Sequence, residues 1–170
     1  MKNFFFLSTI LTTSLVFAQN QINPNQTNSK CISGNCQNGY GVKKFNNGTL
    51  YIGEFWDDIP SGHGTVIWSN GNIYVGDFIK GEYKGDGTFI SKATKNNILY
   101  VGEFNKNKPN GFGTMLFENN EFFVGDFQSG EFNGKGYFYN SSQTIEEGNW
   151  INGKIKGDTL IQREKYIKFE

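Results

Sequence analysis

Apolar and polar side chains alternate along short segments that recur through the chain. In Tyr51–Phe55 (YIGEF) the two aromatic residues and Gly53 share one parity, whereas Ile52 and Glu54 share the other. Side chains alternate between the two faces of an extended strand, so this segment predicts a β-strand with a bare backbone position between two rings. All or part of the arrangement recurs at Tyr74–Phe78, Tyr100–Phe104, Phe123–Phe127 and Glu146–Trp150.

A second kind of segment follows each of these and begins with a Gly-x-Gly pair. The four best examples are GHGTVIW, GDGTFIS, GFGTMLF and GKGYFYN. They are rich in Thr, aromatic and β-branched residues, which favour a partner strand. Turn-forming residues such as Asn47-Gly48 and Asn152-Gly153 separate the segments. The chain is therefore expected to meander as consecutive β-hairpins.

The glycines define an internal repeat. Successive Gly-x-Gly pairs are 23, 23, 26 and 23 residues apart, and the glycines of the first kind of segment are 23, 26, 23 and 23 residues apart. One insertion in Ser91–Leu99 accounts for the longer spacing. Two glycine series with one period indicate a repeat architecture. The repeat-defining positions are Tyr51, Gly53, Phe55, Gly62, Gly64, Tyr74, Gly76, Phe78, Gly85, Gly87, Tyr100, Gly102, Phe104, Gly111, Gly113, Phe123, Gly125, Phe127, Gly134 and Gly136.

One hairpin of this kind cannot bury its own apolar face and becomes stable only when neighbours stack on it. We expect an all-β fold, an elongated single-layer antiparallel β-hairpin repeat array with about five repeats and about ten strands. Glycine normally weakens a strand, but a bare position leaves space for an aromatic ring. We expect each repeat to place its rings over the glycines of the neighbouring repeat, so that most of the aromatic residues form the core.

The N-terminal residues 1–18 have the features of a signal peptide. Lys2 gives a positive start, Phe4–Phe17 is an apolar run, and Val16 and Ala18 fit the small-residue positions before a cleavage site. The run is shorter than the ~20 apolar residues of a membrane-spanning helix. We expect cleavage near Ala18 and export to the periplasm, the cell surface or the medium.

The remaining chain divides into three parts. Residues 19–30 are polar and predict a flexible leader, residues 31–157 contain the repeat array, and residues 158–170 form a C-terminal cap that ends in a strand or a short helix. Cys31 and Cys36 are five positions apart in a chain expected to be exported. This spacing predicts a local disulfide, because oxidising compartments favour cystine over free thiols.

The charge of the chain disfavours two classes of partner. After removal of the signal segment, 15 basic and 16 acidic residues remain, so the net charge is about −1. A nearly neutral chain has no overall field that attracts nucleic acids or anionic membranes. We expect no nucleic-acid partner and no strong electrostatic attraction to lipid.

Catalytic and metal-binding chemistry is not predicted. His63 lies in the variable position of a Gly-x-Gly pair, where the other repeats have Tyr40, Asp86, Phe112 and Lys135, so it is expected to be an ordinary strand residue. A periodic row of acids could suggest calcium sites or a glycosidase carboxylate pair. Its identical repetition favours pairing with Lys or Thr, or solvation. This row contains Glu54, Asp77, Glu103 and Asp126. We therefore expect no enzyme activity and no cofactor.

The unit Y-x-G-E/D-F followed by a G-x-G strand resembles the MORN repeat (membrane occupation and recognition nexus) over about Cys31–Gly157. The opening CISGNCQNGYG is similar to the first unit of exported bacterial members. Phe123 departs from the pattern by replacing Tyr, Glu146–Trp150 lacks its first aromatic residue, and Thr159 replaces a glycine. The resemblance implies a hairpin array that serves protein association, self-association or contact with acidic lipid head groups, and it does not imply catalysis.

Three functions follow as hypotheses. The first is an exported non-enzymatic scaffold for protein–protein interaction or self-association, including a homodimer formed through an end of the array, because exposed edge strands can pair with another chain. The second is peripheral binding to acidic membrane lipids, which lysines near turns favour and the near-neutral charge disfavours. These lysines are Lys80, Lys84, Lys92, Lys95, Lys106 and Lys108. The third is a secreted hydrolase or a carbohydrate-binding module on the β scaffold, with the ligand on the open sheet face.

Overall fold

The computed structural model describes residues 22, 29–92 and 98–163. Over these ranges the chain forms one open antiparallel sheet of twelve strands, arranged in the order of the sequence. The strands are β1 (Lys30–Gly34), β2 (Asn38–Lys44), β3 (Leu50–Trp56), β4 (Ile59–Ile67), β5 (Ile73–Ile79), β6 (Glu82–Ile90), β7 (Ile98–Asn105), β8 (Lys108–Phe117), β9 (Phe122–Gln128), β10 (Glu131–Tyr139), β11 (Thr144–Ile151) and β12 (Lys154–Arg163). The predicted all-β hairpin array is confirmed.

The sheet has two more strands than the ten expected. β1 adds to the N-terminal edge by pairing with β2, and β12 extends across residue 157, the predicted end of the array, as far as Arg163. The predicted signal peptide lies outside the described residues, as do most of the predicted leader and residues 164–170 of the predicted cap.

A file of ten glycines crosses one face of the sheet. The glycine of each Tyr-x-Gly segment pairs directly with the second glycine of the Gly-x-Gly segment on either side, so the series continues from strand to strand. Its members are Gly41, Gly53, Gly64, Gly76, Gly87, Gly102, Gly113, Gly125, Gly136 and Gly148. These positions leave a strip of bare backbone on the core face.

The tyrosine rings lie on this strip. A Cβ atom on Gly64 would be 2.6 Å from Cζ of Tyr51, so the ring occupies the space of the missing side chain. Tyr51 is on β3 and Gly64 is on β4, which is the other strand of the same hairpin. The expectation that rings cover the glycines of a neighbouring repeat was therefore wrong. The Tyr51 hydroxyl donates a hydrogen bond to the Glu54 carbonyl at 2.9 Å and so holds the ring over its own hairpin.

Neighbouring hairpins make contact from ring to ring. The first aromatic residue of one Tyr-x-Gly segment contacts the last aromatic residue of the equivalent segment in the next hairpin, in edge-to-face geometry with centroids 5.0 to 5.4 Å apart. The four pairs are Tyr51–Phe78, Tyr74–Phe104, Tyr100–Phe127 and Phe123–Trp150. All of these rings are buried. The core is therefore a continuous series of contacts between nearest neighbours, as expected of a repeat protein.

The missing hydroxyl of Phe123 leads to a stability prediction. Tyr51 and Tyr100, in the equivalent positions, each donate to a backbone carbonyl at 2.9 Å, and burial raises the pKa of both hydroxyls so that they remain protonated. A hydroxyl added to Phe123 would point towards the Asp126 carbonyl in the same way. Phe123→Tyr should stabilise the fold by about 1 kcal/mol and Tyr100→Phe should destabilise it similarly. Urea unfolding checks both values, and a less stable Phe123→Tyr protein would contradict the prediction.

Candidate interaction surface

The two glycines of each Gly-x-Gly pair have different structural roles. In the pairs from Gly62/Gly64 onwards the second glycine lies under the aromatic ring of the preceding strand, Tyr or, for Gly136, Phe123. The first glycine lies in a bulge, as on β4, where residues 61–63 oppose Glu54 of β3. Gly62 has a φ of 85° and Gly85 has a φ of 86°, a left-handed conformation that favours glycine. The first glycine of the pair therefore allows the backbone to bend, and the second leaves space for an aromatic ring.

Three of the four periodic acids bind backbone groups at these bulges. Glu54 accepts a hydrogen bond from the His63 N–H at 3.1 Å, and Glu103 accepts one from the Phe112 N–H at 3.0 Å. Asp126 accepts the equivalent bond at 3.0 Å. A bulge leaves such N–H groups without a strand partner, and a carboxylate satisfies them. Of the two expectations for the periodic acids, pairing with Lys or Thr was therefore wrong, whereas solvation is confirmed for Glu54, Asp77 and Glu103, which are exposed.

The other residues considered for chemistry are His63, possible metal ligands and the two cysteines. His63 is exposed, with Nδ1 3.0 Å from Oδ1 of Asp77 on the adjacent strand. Among the residues that the structure describes, no group of three or more His, Cys, Asp or Glu side chains is arranged to hold a metal ion. The sulfur atoms of Cys31 and Cys36 are 2.09 Å apart, in a disulfide that joins β1 to the turn before β2. This matches the local disulfide predicted from the sequence.

The face opposite the rings carries a continuous row of large apolar side chains, which we call the outer apolar row. Its members pair directly from β3 to β11 and remain partly exposed. They are Leu50, Ile67, Ile73, Ile90, Leu99, Leu116, Phe122, Tyr139 and Ile145. Nine strands at ~4.8 Å each make the row about 40 Å long. An exposed apolar row of this length is typical of a contact surface.

Two further rows run beside it. In the adjacent row Ile or Val alternates with Thr from strand to strand, as in Ile52–Thr65–Val75, and such β-branched cross-strand pairs stabilise a sheet without a partner. The row beyond contains all three bulge-capping acids, together with Asp77, His63 and Asp86. The apolar row is thus bordered on one side by a threonine-containing row and then by carboxylates.

Sequence reasoning missed the outer apolar row, although part of the signal was present. The residue before the first position of each Tyr-x-Gly segment is always apolar, namely Leu50, Ile73, Leu99, Phe122 and Ile145. The other four members could not be placed beside these residues, because the bulges shift the pairing register by amounts that the sequence pattern does not reveal.

The fold and the outer face define a class of protein, an elongated β-hairpin repeat scaffold with a sealed core face and an open outer face. Among the described residues, no helix has the length and apolar character needed to span a bilayer.

The family model of the MORN repeat matches residues 37–50, 51–73, 100–121 and 123–144. The chain is therefore a MORN repeat protein. MORN repeats generally serve as scaffolds for interactions with proteins or lipids. A search of curated proteins gave no match.

Proposed function

We propose that this protein is an exported, non-enzymatic scaffold that binds another protein, or a second copy of itself, through the outer face of its sheet. The observation that carries this proposal is the outer apolar row, which crosses nine consecutive strands without interruption. Soluble monomers rarely leave a contiguous apolar surface of this length open to water. The signal-peptide features of residues 1–18 support export.

The charges beside the row favour a protein over an acidic lipid surface. Carboxylates such as Glu54, Asp77 and Glu103 lie on the same face as the apolar row. A polar rim of this kind suits a partner with complementary basic groups. Lys135 lies in the same row and Lys44 pairs with Leu50, but the acids are more numerous, so binding of acidic lipid head groups is the weaker alternative at this surface.

A pair of double variants tests the row against a matched control. Ile90→Thr/Leu116→Thr removes apolar surface from the row, and Val75→Thr/Val101→Thr makes similar changes in the adjacent row. All four side chains are 36% to 48% exposed, and Thr retains β-propensity. We expect a dimer in light scattering, or one stoichiometric partner after cross-linking in the envelope of the producing cell. Either complex should be lost in the first variant and kept in the second.

Measurements on the same purified proteins distinguish binding of a protein from binding of acidic lipids. Equal association by both double variants would show that the outer apolar row is not the contact surface. Flotation of the monomer with anionic vesicles at low salt, without a protein partner, would favour the lipid alternative and contradict the proposal. The intact mass of the exported protein should correspond to a chain that begins at Gln19.

A further inference from the structure

Two aromatic side chains near the N-terminal end of the array are exposed on the outer face. Tyr40, on β2, is 65% exposed, and Trp56, on β3, is 73% exposed. Trp56 is the most exposed large apolar side chain in the part of the chain that the structure describes. Tyr and Trp rings are large apolar surfaces that usually find a partner, so their joint exposure requires an explanation.

The two residues are neighbours on the sheet. Tyr40 pairs with Glu54, and Asn38 pairs with Trp56, so Tyr40 and Trp56 are diagonal neighbours on adjacent strands and share one face. Diagonal neighbours lie about 7–8 Å apart, within the span of aromatic side chains. We call these two exposed side chains the aromatic platform.

The repeats of the chain itself show that the sheet does not need these rings. The positions equivalent to Trp56 contain Ile79, Asn105, Gln128 and Ile151. The positions equivalent to Tyr40 contain His63, Asp86, Phe112 and Lys135. Hairpins with these varied residues form the same strands and the same glycine file. The pairing of two aromatic side chains therefore distinguishes the first repeat and has no role in packing.

The surroundings of the platform are polar and carry negative charge. Glu54 pairs with Tyr40 in the strand register, although its carboxylate accepts the His63 N–H on the other side of β3. The Gln37 Nε2 group is 3.4 Å from Oδ1 of Asp57, the residue after Trp56. Lys43 is buried, with its ammonium 2.8 Å from Asp58. Carboxylates repel phosphate and sulfate groups, so a ligand for this site is not anionic. It needs an apolar face for the rings and hydroxyl groups for the polar rim.

We propose that the aromatic platform binds a neutral, β-1,4-linked oligosaccharide. Pyranose rings with equatorial substituents present flat C–H faces that can pack on Trp56 and Tyr40, while their hydroxyl groups reach the Glu54 carboxylate. A cationic ligand would also be attracted by the carboxylates, but recognition of an ammonium group typically uses rings that enclose it. Here Tyr40 and Trp56 are exposed on one open face of the sheet, on adjacent strands.

Titration with cellohexaose and chitohexaose tests this site. Trp68 and Trp150 are buried, so Trp56 is the tryptophan whose fluorescence should respond to a ligand on the surface. We expect saturable binding of at least one of the two oligosaccharides, with a shift of the emission to shorter wavelength and a matching calorimetric signal. Trp56→Ala should weaken binding at least tenfold, equivalent to about 1.4 kcal/mol, and Tyr40→Ala should weaken it several-fold.

Phe112→Ala provides the matched control. Phe112 occupies the position equivalent to Tyr40 and is 58% exposed, but Gln128 replaces the neighbouring Trp. This variant should bind as the wild type does, and so should Ile90→Thr/Leu116→Thr, since the platform does not depend on the protein-binding row. Absence of binding by both oligosaccharides, or equal binding by Trp56→Ala with an unchanged circular dichroism spectrum, would overturn the proposal. Binding of tetralysine alone, lost in Trp56→Ala, would identify a cation site instead.

Discussion

Replacement of Gly113 by alanine is expected to destabilise the protein by about 3 kcal/mol, at the upper end of the usual cost of overpacking a core. The new Cβ atom would lie 2.7 Å from Cζ of Tyr100, and the backbone of Gly113 has an ordinary negative φ, so the effect arises from space alone. The ring cannot simply move away. Such a movement would break the bond from its hydroxyl to the Glu103 carbonyl at 2.9 Å and its contact with Phe127. Urea unfolding followed by circular dichroism measures the loss.

Gly148 supplies the control, because it belongs to the same glycine file but has no tyrosine above it. Glu146 occupies the equivalent position, and a Cβ on Gly148 would meet only the end of the Ile155 side chain, at 2.8 Å from Cδ1. That side chain can change rotamer, so Gly148→Ala should cost less than about 1 kcal/mol. In a Tyr100→Ala background the cost of Gly113→Ala should also decrease. Equal losses for both alanines would contradict the role of the rings.

Loss of the Phe104 ring is expected to cost about 3–5 kcal/mol and to weaken the coupling between hairpins. The ring is 2% exposed and makes edge-to-face contact with Tyr100 of its own strand and with Tyr74 of the preceding hairpin, in both cases at a centroid distance of 5.0 Å. Since stability in a repeat protein is a sum of nearest-neighbour terms, Phe104→Ala should lower both the midpoint and the slope of urea unfolding. The exposed Phe112→Ala should change stability by less than about 0.5 kcal/mol.

A double-mutant cycle isolates the contact between hairpins. Phe104→Leu and Tyr74→Leu should be non-additive by about 0.5–1.5 kcal/mol, the usual strength of an aromatic pair. Phe104→Leu and Tyr51→Leu should be additive, because the partner of Tyr51 in the next hairpin is Phe78. Additivity in both cycles would mean that the hairpins are not joined through these rings.

The separation of the two sheet faces has a consequence for function. Rings and glycines stabilise the fold from one face, whereas the outer apolar row and the aromatic platform lie on the other. Substitutions such as Ile90→Thr or Trp56→Ala therefore remove binding surface without opening the core. This arrangement allows the outer face of each repeat to differ while the repeat retains its structure, as the variation from Trp56 to Gln128 illustrates.

The sequence alone determined most of the strands, the repeat period and the face that forms the core. The shared parity of Tyr51, Gly53 and Phe55 predicted the strand, and two glycine series with one period predicted the array. The alternation of side chains along a strand can be recognised in the sequence because it involves residues only one and two positions apart. The same pattern correctly indicated that most of the aromatic residues are core.

Only the tertiary structure decided which strand each ring covers, what the acids bind and where the outer apolar row lies. Tyr51 covers Gly64 of its own hairpin, and Glu54 caps a bulge in the opposite strand. Both relations connect residues nine or more positions apart, and the bulges that set their register appear in the sequence only as an additional glycine. Pairing across strands, and not alternation within a strand, places Leu50 beside Ile67 and Tyr40 beside Trp56. The surfaces proposed for binding therefore became visible only when the strands were paired.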